Sequence, residues 1–396
     1  MTQVSSTKPD TSHEPSDEEF RAAFRAWLDT HLVGEFASIP GVGYASDDAE
    51  KTIRINWERE LVAGGWLGLT WPVEYGGRGY SIAKEVIFLE ELTRARAPKW
   101  FGGSGRDLLA PMLIDIGTPA QKARFLPKIM AVEEHWGQGF SEPGSGSDLA
   151  SVSTRAVLDG DKWVINGQKI WMTLGRHADW IFLLCRTDPD APKHHGMSML
   201  LVDAHQSGIE IRPIRTMVGS YEFAEAFFTD AITDKDLVLG EVNEGWRVAM
   251  STVSWERALT TLPYEINFEH QLAELIGYAR SAGKLEDPDI RDRIIDSWIS
   301  LQAVRRNTQR MLDHFVRHGE LSASSSIAKL LWSFWHQEFG QLAIDVVGTD
   351  AMFVGDNYKL SSFQEVFLGS RAETIYGGSA EIQRNIIGER VLGLPR

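Results

Sequence analysis

The sequence predicts a mainly α chain interrupted by a central β section. Three observations carry this. Apolar residues recur at helical spacing up to about residue 134. Short β-prone runs bounded by turn residues fill roughly 137–233. Helical periodicity returns at Gly245 and persists to the end. The predicted parts are a polar disordered tail over 1–15, an N-terminal helical domain over 16–134, a middle β domain over 135–244 and a C-terminal helical bundle over 245–396.

The chain has 396 residues, enough for two or three domains. Its 43% hydrophobic and 24% charged residues are ordinary for a globular protein. A net charge of −15 argues against a nucleic-acid partner, because phosphate contacts need clustered cations. There is no run of 18 apolar residues, so no membrane-spanning helix is expected. A basic then apolar N-terminal leader is not visible, so a cytoplasmic location is expected. The single cysteine, Cys185, excludes an intrachain disulfide and lies in an apolar run, which predicts a buried strand cysteine.

Taken in order, residues 1–14 are polar and include Pro9. Ser16 and Glu19 have capping-box spacing, and Phe20, Phe24, Trp27 and Leu28 then mark one helical face. Further helices are predicted from about Ala49 to Ala63, Ile82 to Arg96 and Pro119 to Ala131. The glycines between Gly64 and Gly77, with Pro72, forbid a continuous helix there. Trp180–Arg186, Met197–Val202 and Ile209–Ile214 read as strands. His194 and His195 lie between two of them; adjacent strand histidines face opposite ways and no third ligand is apparent, so no metal is expected. In the bundle, Ile294, Trp298, Leu301 and Val304 mark one core-facing stripe. Ile327, Leu330, Leu331 and Phe334 mark another, capped near Ser324–Ser326, and Ile382, Ile386 and Ile387 mark the last.

The most informative stretch is Gly137–Thr173. Phe140-Ser141-Glu142-Pro143 leads into Gly144-Ser145-Gly146-Ser147-Asp148, a loop whose glycines let backbone N–H groups and small hydroxyls approach a ligand. Asn166-Gly167 then separates Lys162–Ile165 from Gln168–Thr173, which predicts a tight hairpin. The two halves together resemble the first signature of the acyl-CoA dehydrogenase family, a TEPGAGSD-like loop followed by an NGxKxWxT-like segment. The resemblance covers nearly the whole chain after the tail. It implies an N-terminal helical domain, a middle β-barrel-like domain and a C-terminal four-helix bundle. It also implies FAD as cofactor, with Phe140, Ser141, Ser147, Trp171, Met172, Thr173, Ser379 and Glu381 along it. Trp171 would back the ring system, and Thr173 would hydrogen-bond near its N5/O4 edge.

The activity implied is α,β-dehydrogenation of an acyl-CoA thioester, with hydride passing to flavin N5 and a carboxylate removing the α-proton. Most members of the family carry that carboxylate in a Tyr-Glu-Gly-Thr motif. Here the motif reads Tyr376-Gly377-Gly378-Ser379, so the glutamate is absent. The isovaleryl and long-chain branches carry the base in a Glu-Arg pair on the first bundle helix, where this sequence has Trp255-Glu256-Arg257. On a helix Glu256 shares a face with Ala249, Val253, Leu259 and Thr260, none of them basic. Glu256 is therefore the expected base. Gly377 is expected to donate its backbone N–H to the thioester carbonyl, and Ser147, Arg257 and Gly378 to contact substrate. Losing a side chain at 377 predicts a wider acyl cavity, suited to branched or ring-bearing groups.

Two family motifs that reach a neighbouring subunit's FAD are altered, at Tyr278–Lys284 and at Asp345–Thr349. This resembles the heteromeric bacterial branch that shortens steroid side chains. The expected assembly is a dimer or tetramer, homomeric or mixed, passing electrons to an electron-transfer flavoprotein. Two other readings stay open: a subunit that is inactive alone, and a related flavin oxidase or monooxygenase.

Overall fold

The computed structural model describes residues 14–41, 48–318 and 325–395, with the side chains of 48–49, 252–261 and 326 outside the description. The predicted tail 1–15 falls almost wholly outside the described residues, as does the cap at Ser324.

The N-terminal part holds α1 (Asp17–His31), the short α2 (Glu35–Ser38), α3 (Asp48–Ala63), α4 (Ile82–Arg94), α5 (Ala110–Ile116) and α6 (Pro119–Met130). The helix α1 starts where predicted: Ser16 Oγ accepts from Glu19 N–H while Glu19 returns a carboxylate oxygen to Ser16 N–H at 2.9 Å. Phe20, Phe24 and Leu28 then pack with Trp57, Leu61, Trp66 and Phe88. A π-helical turn over Ser104–Leu109 leads into α5, and neither was predicted. Gly102, Gly103 and Gly105 break the helical pattern of the sequence there.

Seven strands follow: β1 (Trp136–Gly139), β2 (Arg155–Asp159), β3 (Lys162–Thr173), β4 (Trp180–Arg186), β5 (Met197–Asp203), β6 (Ile209–Ile214) and β7 (Phe223–Asp234). The sheet order is β1-β4-β2-β3-β7-β6, with β5 also on β4. Because β4 pairs with β1, β2 and β5, the sheet curls around an interior of Trp163, Ile165, Met172, Ile181, Leu183, Leu200, Ala226 and Phe228. The other face of β4 and β5 packs Phe182, Leu184, Met199 and Leu201 against Leu109, Leu113 and Phe125 of the helical part. Burial on both faces explains why these two strands are apolar without alternation. Cys185 is fully buried in β4, and burial pushes its thiol up to about 12, so it is inert.

The predicted Asn166-Gly167 hairpin is not formed. β3 runs through both residues, and the chain reverses earlier, across Gly160-Asp161, where Asp159 pairs with Lys162. Gly-Asp is also a two-residue turn signal, and Gly160 takes the positive φ of 59° that its first position requires. Asn166-Gly167 instead lies opposite a bulge in β7: Ile165 pairs with Ala231 and Gly167 with Phe228, so the extra residue falls in β7, where Asp230 takes a positive φ of 51°. Asn166 Nδ2 donates to Asp230 Oδ1 at 2.9 Å, and Asp230 N–H donates to Asn166 Oδ1 at 3.0 Å.

The C-terminal part holds α7 (Gly245–Ser281), α8 (Pro288–His318), α9 (Ser325–Val347), α10 (Ser362–Glu373) and α11 (Ala380–Ile386). Two of the predicted core stripes are misphased. Trp298 is 53% exposed on α8, beside exposed Ile295 and Ile299, although Ile294, Leu301 and Val304 are buried as expected. On α9, Ile327 and Phe334 face outward, and the core face is Ala328, Trp332, Trp335, Phe339 and Leu342. A helix that is apolar on two sides has no single phase for periodicity to choose. Ile382, Ile386 and Ile387 are half-buried, and α11 buries Ala380 and Gln383.

Candidate active site

The two glycine-rich signatures lie 232 residues apart in sequence and meet in space. Ser379 N–H donates to Ser147 Oγ at 3.0 Å. Ser379 also caps α11, its hydroxyl accepting from Ile382 N–H. The turn before it depends on its glycines: Gly377 and Gly378 have φ of 64° and 87°. A Cβ on Gly378 would stand 2.7 Å from Gln383 Nε2, which donates to Gly377 O.

The loop after β1 is braced from beneath. Glu142 accepts from Ser153 N–H at 2.7 Å, Thr154 N–H at 2.9 Å and Lys169 Nζ at 2.8 Å. Burial alone would push its carboxyl up, but Lys169 and these donors hold it down at about 2. Lys169 Nζ also donates to Phe140 O at 2.8 Å, and Ile170 N–H donates to Ser141 O at 2.9 Å. The Phe140 ring is buried edge-on against Phe182, so the residue offers a ligand only its backbone. Above this base, Gly144 and Gly146 have open space where a Cβ would point.

A second register shift in β3, between Lys169 and Met172, puts Trp171 at φ 64°. Non-glycine residues in this region cost on the order of 1–3 kcal/mol and cluster at functional sites. The bulge turns the Trp171 ring outward, 55% exposed and edge-on to Phe223. Met172 points the opposite way, fully buried in the β core, leaving its backbone at the surface of the ribbon. Thr173 is half-buried and pairs with Phe223. Glu222 lies next in β7's approach, where burial pushes its carboxyl up against the opposing pull of Lys99 and Arg54. Glu381 is exposed on α11, and hydrogen bonds from its own N–H and the Ser379 hydroxyl hold its carboxyl low.

Glu256 and Arg257 are carried by α7, but their side chains lie outside the described residues. Their stretch of α7 runs between two anchored points. Val248 and Ala249 pack with Leu109 and Leu113, and Leu262 and Ile266 pack with Phe88 and Leu92. On α4, burial together with the charge of Asp107 pushes the Glu85 carboxyl up to about 7, with Arg106 opposing.

The sequence reading missed the Glu142–Lys169 pair, Glu85 and Lys329. Only Lys169 carried a signal, as a lone cation at an inward position of a strand. That signal becomes readable only once β3 is seen to run unbroken through Asn166-Gly167, which keeps Lys169 in phase with Trp163 and Ile165.

The comparisons agree over nearly the whole chain. The acyl-CoA dehydrogenase N-terminal domain profile matches residues 14–133, the middle domain profile 137–231 and the C-terminal domain profile 243–392. The chain belongs to the acyl-CoA dehydrogenase family. It is 48% identical to acyl-CoA dehydrogenase IpdE1 of Mycobacterium tuberculosis over 96% of this chain and 98% of that protein. Among solved structures it superposes on the Tcur3481-Tcur3483 steroid ACAD with a TM-score of 0.84 and 29% identity, covering 97% of this chain and 99% of that one. The ChsE4-ChsE5 complex from Mycobacterium tuberculosis matches at 0.79 and 29%, covering 97% and 99%. As a member of this family the protein is an oxidoreductase acting on CH–CH groups, and acyl-CoA dehydrogenases are flavoproteins. No described helix is long and apolar enough to cross a membrane, and the described residues contain no metal-binding cluster of three or more His, Cys, Asp or Glu.

Proposed function

We propose that this acyl-CoA dehydrogenase binds FAD at the Ser141–Ser147 loop and the Trp171–Thr173 ribbon, and removes the α-proton of an acyl-CoA with Glu256. The observation that carries the reading is the Ser379 N–H to Ser147 Oγ hydrogen bond, which joins both signature loops into one site. The residues present fit a flat cofactor. Trp171 offers an exposed ring at a strained position, and Thr173 offers a hydroxyl on the same ribbon. The open glycine loop lets backbone approach closely. When bound, FAD supplies the two-electron acceptor for the β-carbon.

The chain's own residues do the rest. Gly377 N–H donates to the thioester carbonyl oxygen, which stabilises enolate charge and acidifies the α-proton. Glu256 takes that proton at its carboxylate, and its neighbours at helical spacing in the sequence, Ala249, Val253, Leu259 and Thr260, include no cation that would weaken it as a base. Ser147, Arg257 and Gly378 orient the substrate, and Glu381 lies at the far end of the cofactor site. An electron-transfer flavoprotein is the proposed acceptor.

The proposed acyl group is ring-bearing. Gly377 leaves the family's usual base position without a side chain, and one solved neighbour is titled a steroid ACAD. That neighbour and the ChsE4-ChsE5 complex each pair two differently named chains. Exposed Ile295, Trp298 and Ile299 give α8 an apolar face for a partner. An unlike partner chain is therefore proposed.

The test is anaerobic stopped-flow bleaching by acyl-CoAs of the protein purified with any partner. Glu256→Gln should bind flavin and substrate yet reduce roughly 10²–10⁴-fold more slowly. Wild-type bleaching rates in that variant would make another carboxylate the base. A protein that is colourless when purified alone, yet bleaches once its partner is present, would favour a subunit that is silent alone.

A further inference from the structure

Lys329 of α9 reaches across to the turn that precedes Gly377. Its Nζ donates to Glu373 O at 2.6 Å and to Tyr376 O at 2.5 Å. The ammonium also lies 4.6 Å from the centre of the Tyr376 ring and 4.9 Å from that of Trp332. An ideal Cβ at Gly377 would stand 3.6 Å from Nζ. Nothing in the dehydrogenation steps above uses this cation.

Its partner atom gives it a role. Tyr376 O belongs to the same peptide unit as Gly377 N–H. A peptide group is planar and trans, so its C=O and N–H point in opposite directions. Gripping the oxygen therefore fixes where the N–H aims. A charged donor on the carbonyl also polarises the whole amide and makes its N–H a stronger donor, as in any hydrogen-bonded chain. The second bond, to Glu373 O at the end of α10, anchors the turn to a helix. Gly377 needs such an anchor, because a positive-φ glycine has little conformational restraint of its own.

We propose that Lys329 is a positioning residue that aims and polarises the Gly377 N–H toward the thioester carbonyl. This rests on the reading of Gly377 as the carbonyl donor, and the experiment separates the two. The probe is 4-(dimethylamino)cinnamoyl-CoA, an unsaturated thioester that does not turn over. Its absorption moves to the red as its carbonyl is polarised. Wild-type protein should shift it. Lys329→Met, which keeps the apolar stem, should lose most of that shift while its affinity for the probe stays close to wild type. Lys329→Arg should keep most of the shift. With substrate, kcat of Lys329→Met should fall roughly tenfold to hundredfold with little change in KM, as expected for a misaimed group. Lys329→Gln removes the charge but keeps N–H donors, and reads the same loss should the methionine variant not fold. An undiminished shift in Lys329→Met or Lys329→Gln overturns the proposal. Equal losses in the arginine and methionine variants overturn it too, because charge is then not what matters. A wild-type protein that binds the probe without any shift overturns the reading of Gly377, and this proposal with it. Failure of Glu256 as base leaves the shift untouched.

Discussion

Lys169 Nζ lies 2.8 Å from Glu142 Oε1, and both side chains are buried beneath the Ser141–Ser147 loop. The pair crosses from β3 to the loop after β1, so it sets the height of the loop above the sheet. Breaking a buried pair from one side leaves an uncompensated charge and costs about 3–5 kcal/mol. Lys169→Met should lose that much stability in urea melts and release bound flavin. The double variant Glu142→Gln, Lys169→Met should recover part of the stability, and a double variant no better than the single one would argue against coupling.

Thr173→Arg tests the ribbon as a cofactor site. A long cation at a half-buried ribbon position would fill the space beside Trp171, so the variant should purify folded but without flavin colour. Full flavin occupancy, read from the visible spectrum, would contradict the assignment.

Glu265 on α7 makes stability depend on pH. It is 4% exposed, and its Oε2 is buried without a hydrogen bond among the described residues. Burial and the nearby Glu269 push its carboxyl from 4.5 up to about 7, with Arg305 opposing. Between those values the folded protein holds a proton that the unfolded chain has released. The stabilising contribution is therefore full below pH 4.5 and is lost as pH rises through 7, by up to about 3 kcal/mol. Glu265→Gln should gain stability relative to wild type between pH 5 and pH 8 in parallel melts. A difference that does not vary with pH would show the carboxyl already ionised at pH 5.

Gly167→Ala tests the close approach of Thr154 to β3. The new Cβ would stand 2.4 Å from Thr154 Oγ1 and 2.7 Å from Thr154 Cα, and backbone cannot easily move aside. Overpacking of this kind costs about 1–3 kcal/mol. A thermal melt unchanged from wild type would mean that β2 shifts freely at that point.

Sequence patterns reached the site at different depths. Ser16 and Glu19 were legible because a cap is local and its partners are three residues apart. Strands β4, β5 and β6 were legible because turn residues bracket their apolar runs. Asn166-Gly167 misled because the same dipeptide can turn a chain or run within a strand opposite a bulge, and only pairing with β2 and β7 chooses between them. Trp298 and Phe334 misled because an apolar face can be covered inside the subunit or outside it. Gly377 and Glu256 could be named from motif positions. Lys329 could not, because it carries no motif and acts on a residue 48 positions away.

By itself, then, the sequence determined the order of helical, β and helical parts, the two glycine-rich loops and the missing carboxylate at Gly377. These follow from short-range rules of capping, alternation and glycine conformation. Tertiary structure alone decided that Ser147 meets Ser379, that Trp171 turns outward at a bulge, and that Lys169 and Lys329 brace the two loops. Each of those depends on contacts between residues distant in the chain, where packing and hydrogen-bond geometry choose among conformations that local chemistry leaves equal.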